Sequence, residues 1–422
     1  MSAVRSIAAP ARCIAPKQAI GGFSMVELMV AIVLGLLVTD ALVAMFVGVR
    51  SAGRMSSGVA ALSDSGRFAL DTIEQSVRGA GNMACNATAP VFVAGTPVVR
   101  QISLLNAGAS PLISDFGQPL EGYEATGSNP GQNVAIANAP AGDGNVNDWA
   151  TTNALGNTMD AALIGPPAPA GEVAPVGQMV SGSDVIVVHE SLPGTPPAYT
   201  LNVATGAGAF TISSANIFSG GGGQIGAITN CVQTEVFQVA SFTPGAGSGV
   251  VALAGAAISP GNTGAVLSTN IDFTIGAEVV PVDTTVFYIG VGADGDGALF
   301  RWESNGGVLG DGYSVNEELV PDVESMQVLY GVETALSQTS QTVAQYVTAD
   351  NVANTSITGD YNGVISVKIA LLVASPPGAV QPGAAAAASP PTLLGTNWAL
   401  GAADGRMRRV YEQTMFLRNM SP

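Results

Sequence analysis

The sequence predicts an α+β fold: one long N-terminal helix followed by a mostly antiparallel β head with large loop insertions. Three observations predict it. Residues 23–49 are almost wholly apolar and lead into residues 51–81, where Val59, Leu62, Gly66, Ala69, Ile73 and Val77 recur every three or four positions, the period of one helix face. Past Cys85 the pattern changes to short alternating runs, the period of a strand. Composition agrees, since among 422 residues only 11% are charged, while Gly and Pro number 53 and 25, material for turns more than for helices. An apolar share of 47% argues against a disordered chain.

The elements follow in order. Residues 1–22 carry Arg5, Arg12 and Lys17 and no acid, a basic leader of the kind that stays on the cytoplasmic side of a membrane. Residues 23–50 form the second segment, an apolar run ended by Arg50. As a helix it is about 40 Å long, enough to span a bilayer with some tilt. An ordinary secretory signal puts its small residues after the apolar run. Here Gly21 and Gly22 come before it. Cleavage after Gly22 would remove the leader and keep the helix.

That stretch, GFSMVELMVAIVLGLL, resembles the processing signal of type IV pilins and pseudopilins. The resemblance implies that a prepilin peptidase cuts after Gly22 and methylates the new terminus, Phe23. SGRFALDTIEQSVRGAGNMAC, at residues 65–85, is similar to the stretch after the membrane helix in PilW-type minor pilins, with Ser65 where Asn is usual. Further echoes are GSDVIVVH (182–189), NCVQTEVFQV (230–239), ALFRWE (298–303), ELVPDVESMQVLYG (318–331) and the terminal FLRN (416–419). The implied architecture is a pilin-like ladle.

Residues 51–82 continue the helix as an amphipathic half that packs on a sheet, with Glu74 and Arg78 spaced to pair. Gly79 and Gly81 end it. Residues 83–422 form the head. Its best strand is 363–373, where Ile365, Val367, Ile369, Leu371 and Val373 alternate with Ser366, Lys368 and Ala370. Residues 184–189, 235–239, 285–289, 326–330 and 410–417 read similarly. Residues 125–182 and 375–391 read as Gly/Ala/Pro-rich insertions, and 219–226, SGGGGQIG, as a flexible link.

Charge and chemistry narrow the function. Net charge is −17, and no Lys or Arg lies between Arg100 and Arg301, a span with fifteen Asp or Glu. Direct nucleic-acid binding needs a basic face and is set aside. The only histidine, His189, ends an apolar strand, and a hydrolase triad or zinc site has no other to draw on. An enzyme is therefore not expected, nor a cofactor. Asp294 and Asp296 sit in a Gly-rich loop that lacks the EF-hand spacing; a tight polar turn is the default reading and a non-EF calcium loop the other. The same holds for the loop from Asp143 to Asp148. Cys13 lies in the leader. Cys85 and Cys231 remain, either as one disulfide, which an exported location favours, or as two buried thiols.

Two residues depart from a smooth membrane helix. Asp40 lies past its middle, where a carboxylate costs about 2.5–3.5 kcal/mol on insertion scales; it either contacts a neighbouring subunit or sits shallower through tilt. Gly35 serves close packing or local unwinding. Glu27 has a more definite reading. Cleavage after Gly22 would place a positive amine on Phe23, one turn before Glu27, and the two charges would neutralise each other within or between subunits. The resemblance implies the second version.

The function implied is that of a minor pilin. It would insert in the bacterial inner membrane, N-terminus in the cytoplasm and head in the periplasm, and then enter a type IV pilus at the cell surface, in a tip or priming complex. Its partners would be the prepilin peptidase, other minor and major pilins and the membrane. Motility, adhesion and DNA uptake lie downstream. The alternatives are a type II secretion pseudopilin and an adhesin carried on a pilus.

Overall fold

A computed structural model describes residues 22, 24–87, 91–93, 96–98, 101–106, 115–135, 148–149, 159, 175–204, 206–218, 222–256, 260–269, 271–273, 276–304, 315–333, 342–356, 358–380, 391–399 and 404–420. The chain divides into two compact units, up to Gly53 and from Arg54 onward. One continuous helix, α1 (Met25–Gly79), contains the boundary.

In the first unit every residue of α1 from Met25 to Arg50 is exposed. In the second, α1 buries the stripe Gly58, Leu62, Gly66, Ala69, Leu70, Ile73 and Val77. Nearly every stripe residue read from the sequence is there; only Val59 stays exposed.

The stripe meets a four-stranded antiparallel sheet built from β11 (Val323–Val332), β12 (Gln345–Val347), β13 (Val364–Ala374) and β14 (Arg408–Phe416), in the order β12-β11-β13-β14. Val367, Ile369, Leu371, Val373 and Met415 share one core with Leu62, Ala69, Ile73 and Val77. The alternating apolar residues of β13 thus face the helix. The opposite face is not open either. Ala370 and Leu372 are covered by Leu393 and Trp398, which belong to a small layer of strands Thr392–Leu393, Thr396–Ala399 and Asn133–Ala135. Covering on both faces leaves Lys368 as the one incompletely buried residue of β13. Residues 133–135, inside a stretch read as a loop insertion, and the strands just after the 375–391 insertion therefore supply a structural layer.

The larger sheet is also mostly antiparallel. Its strands are β1 (Leu120–Tyr123), β2 (Val185–Ser191), β3 (Ala198–Asn202), β4 (Ala209–Ile212), β5 (Ile225–Thr229), β6 (Thr234–Pro244), β7 (Gly249–Leu253), β8 (Glu278–Val291), β9 (Gly297–Glu303) and β10 (Val315–Pro321), with Gln101–Ser103 joined in parallel to β6. The spine is β8, which pairs along its length with β2, β3, β5 and β9. Here the reading of 219–226 as a link needs correction for its last part. Gln224 is buried, and Ile225 and Gly226 open β5, buried between β6 and β8. In the 125–182 region, Trp149, Met159 and Met179 pack into one core with Tyr123, Tyr288 and Trp302. Large apolar side chains decided these places, and composition alone concealed them.

The sheets are joined by a corner. β10 belongs to the larger sheet and β11 to the four-stranded one, and between them Asp322 takes a left-handed backbone, φ +62°. The Pro-Asp of ELVPDVESMQVLYG marks that turn.

Gly66 shows how closely helix and sheet approach. A Cβ there would lie 2.5 Å from the Tyr411 ring on β14. Gly66→Leu is expected to destabilise the second unit by about 1–3 kcal/mol, the scale of overpacking in a filled core. Thermal unfolding of the full chain in detergent measures it, and an unchanged midpoint would show that the helix can move away.

Candidate assembly site at the start of the helix

Ser24 starts α1. Its Oγ accepts hydrogen bonds from Val26 N at 3.2 Å and Glu27 N at 3.4 Å, and its carbonyl accepts from Leu28 N at 3.0 Å. These satisfy amides that a helix N-terminus otherwise leaves open. Glu27 is then the third helical residue and the acid of the first turn, where the helix dipole favours negative charge. Ser24-x-x-Glu27 has the spacing of a capping box. The charge reading of Glu27 overlooks this second role, although the pattern was legible. Gly22 is exposed just ahead of the helix. Phe23, its partner in the expected processing site, lies outside the described residues.

The surface that follows is apolar and uncovered. Met25 is 83% exposed and Leu36 65%, and the best 18-residue window has a mean hydropathy of 2.6. A helix of this length and composition can cross a membrane, and it is consistent with a single-pass anchor. Asp40 is exposed on it and is the one charged residue between Glu27 and Arg50. Beside it, the Thr39 hydroxyl bonds back to the Gly35 carbonyl and, at 3.2 Å, to that of Leu36. Such back-bonding competes with the helix ladder, so Gly35 and Thr39 mark one weak turn. At the far end the Arg50 guanidinium lies 5.3 Å from the centre of the Phe46 ring.

The other terminus of α1 is tied down three ways. Asn419 Nδ2 donates to the carbonyls of Ala80 at 3.1 Å, Gly79 at 3.4 Å and Arg78 at 3.5 Å, groups that a helix end leaves unpaired. The FLRN echo hid a helix cap. Glu74 pairs with Arg78, as its spacing implied, and also accepts from Gln413 on β14. Finally, Cys85 and Cys231 form a disulfide with Cα atoms 5.1 Å apart across 146 residues. Cys85 follows the helix in a hairpin turn, and Cys231 occupies the β5–β6 turn at φ +65°. Asn230 Oδ1 shapes that turn by accepting from Val232 N and Gln233 N. The two cysteines outside the leader thus form a covalent tie between helix end and head.

The other candidate residues make contacts within the head. His189 is fully buried, with Nδ1 3.1 Å from Thr284 Oγ1, Nε2 3.6 Å from Glu121 Oε1, and its ring against Phe116. Asp294 and Asp296, in the β8–β9 turn, converge with Asp322 at the corner. Arg406 reaches into this group, bonding Asp322 Oδ1 at 2.9 Å and pairing with Asp296. A guanidinium therefore answers charge that a cation would otherwise answer. Of the loop from Asp143 to Asp148, only Asp148 lies among the described residues.

One stretch of chain contains most of this construction: half of β8, the corner, the whole four-stranded sheet and the Asn419 cap. Residues 286–419 match the PilW family. The family is that of the Type IV Pilus-assembly protein W, and the match includes the sheet on which α1 packs and ends at its cap. Among solved structures, a type IV-like pilin from Thermus thermophilus is similar at 18% identity, over 33% of this chain and 70% of that one, with a TM-score of 0.20. No curated protein matches the chain significantly. The PilW segment thus carries a type IV pilus relationship, and the α+β arrangement of long apolar helix and antiparallel head accompanies it.

Proposed function

We propose that the chain is a minor pilin, a structural subunit and not a catalyst. The leader is removed after Gly22, the apolar helix holds the protein in the inner membrane with the head in the periplasm, and the processed subunit enters a type IV pilus in a tip or priming complex. The observation that carries this reading is the bare apolar helix with Glu27 in its first turn, joined through α1 to a PilW segment. Its exposed surface requires lipid before assembly and neighbouring helices after it. A free amine at Phe23 would sit beside the positive dipole end of the first turn, an unfavourable place for a cation. Glu27 supplies the opposite charge. Asp40, unmatched on the same surface, is a second contact for a neighbouring subunit. Other pilins and the prepilin peptidase are the partners implied. The test is the N-terminus of the chain recovered from sheared surface fibres: a chain beginning at methylated Phe23 supports the reading, and one absent from fibres or keeping its leader opposes it.

A further inference from the structure

The segment GSD, residues 182–184, plays no part in that function, yet it lies where the two sheets meet. Ser183 Oγ accepts from Met326 N on β11 at 2.9 Å. Asp184 Oδ1 accepts from Ala125 N at 2.9 Å and Oδ2 from Val328 N at 2.8 Å. One carboxylate thereby holds the chain just after β1 and the middle of β11 to the start of β2. Ser128 adds the small layer, since its carbonyl accepts from Thr396 Oγ1 at 2.5 Å.

A second acid, Glu124, faces the same point. Both carboxyls are 2% exposed. Ser128 Oγ lies 3.4 Å from Glu124 Oε1, 3.4 Å from Asp184 Oδ1 and 2.8 Å from Ala125 O. A hydroxyl has one proton to give, so three acceptors around it are two more than it can satisfy. Asp184, met by two backbone amides, is built as the anion. Glu124 is not, for its Oε2 meets no hydrogen-bond partner. The charges acting on the pair are their own and that of Asp350 from the turn at Ala349–Asn351, opposed at Glu124 by Ser128 and the Ala349 amide and at Asp184 by Ser128 and the Ala125 and Val328 amides; the phenols of Tyr330 and Tyr361 feel the same acids. None is a cation.

We propose that Glu124 is a neutral carboxylic acid that donates to Ser128 and so closes a Glu124–Ser128–Asp184 latch, which joins the two sheets and weakens as pH rises. Burial first, and then the Asp184 and Asp350 charges, push the Glu124 carboxyl up to about 10, and burial pushes Asp184 up to about 7. Opening the latch returns Glu124 to its ordinary value of 4.5. Between those values the open form has lost a proton that the closed form keeps. Closure is therefore favoured most at acidic pH, and its advantage is lost as pH rises toward the folded-state value, about tenfold in the open population per pH unit.

Hydrogen exchange of residues 120–132 in the full chain in detergent, corrected for the intrinsic pH dependence of exchange, reads this directly. From about pH 7 to about pH 9, protection in the wild type is expected to fall about tenfold per unit. Glu124→Gln keeps a donor at the same place without a titrating proton, and its profile is expected to be flatter by about that factor. Equal slopes in the two proteins would overturn the proposal. If the variant does not fold, a pH-independent wild-type profile overturns it alone.

Discussion

Glu27→Gln is expected to leave the chain in the membrane and exclude it from surface fibres. The substitution separates two roles of one residue: its place in the first turn of α1 and the proposed charge opposite Phe23. Gln at the third helical position still suits a capping box with Ser24, so the start of α1 survives. What is lost is the negative charge facing an amine at Phe23. An unanswered charge in an apolar assembly is costly, and incorporation should drop about 100-fold, the scale of breaking a buried ion pair. Glu27→Ala should show the same loss, with a slightly less stable first turn. The measurement is the amount of chain in sheared fibres against the amount in membranes. Normal incorporation of Glu27→Gln, with a defect confined to Glu27→Ala, would assign Glu27 to helix capping instead.

Removing the tie between Cys85 and Cys231 is expected to have the largest effect on stability. The bond spans 146 residues, and closing a loop of that length restrains the unfolded chain by about 5 kcal/mol in the chain-entropy model. It also fixes the hairpin after α1 to the β5–β6 turn, so the loss falls where the helix leaves the head. The double variant Cys85→Ser, Cys231→Ser should melt about 10 °C below the parent, and reduction of the parent should produce the same shift. A melting point unchanged by either treatment would show that the Asn419 cap and the helix–sheet core hold this end without covalent help.

The parts of the fold legible in the sequence were those with a strong period. The stripe from Leu62 to Val77 and the alternation of 363–373 each gave the right element and the face that helix and sheet share, while the covering of the strand's other face went unread. Glu27 and the two cysteines were legible because each is chemically out of place or easily counted. What escaped notice depended on partners far away in sequence. Trp149 and Met179 lie in stretches whose Gly, Ala and Pro content signals a loop, yet their side chains complete a core formed by Tyr288 and Trp302. Asn419 caps a helix that ended 340 residues earlier. The pairing of Arg406 with Asp296 and Asp322 joins residues 110 and 84 positions apart, which no local spacing rule contains. The Ser24 cap is different. Its pattern was local and readable, and the interest of Glu27 as a charge obscured it.

The central claim is that this chain is cut after Gly22 and works with a charged, modified Phe23 opposite Glu27. Mass spectrometry of the N-terminal peptide, from cells with active prepilin peptidase, tests it most directly. The account predicts a peptide beginning at Phe23 and carrying one methyl group on its amine, both in membranes and in sheared fibres. A mature protein that retains residues 1–22, or one cut on the far side of the apolar helix, would contradict it.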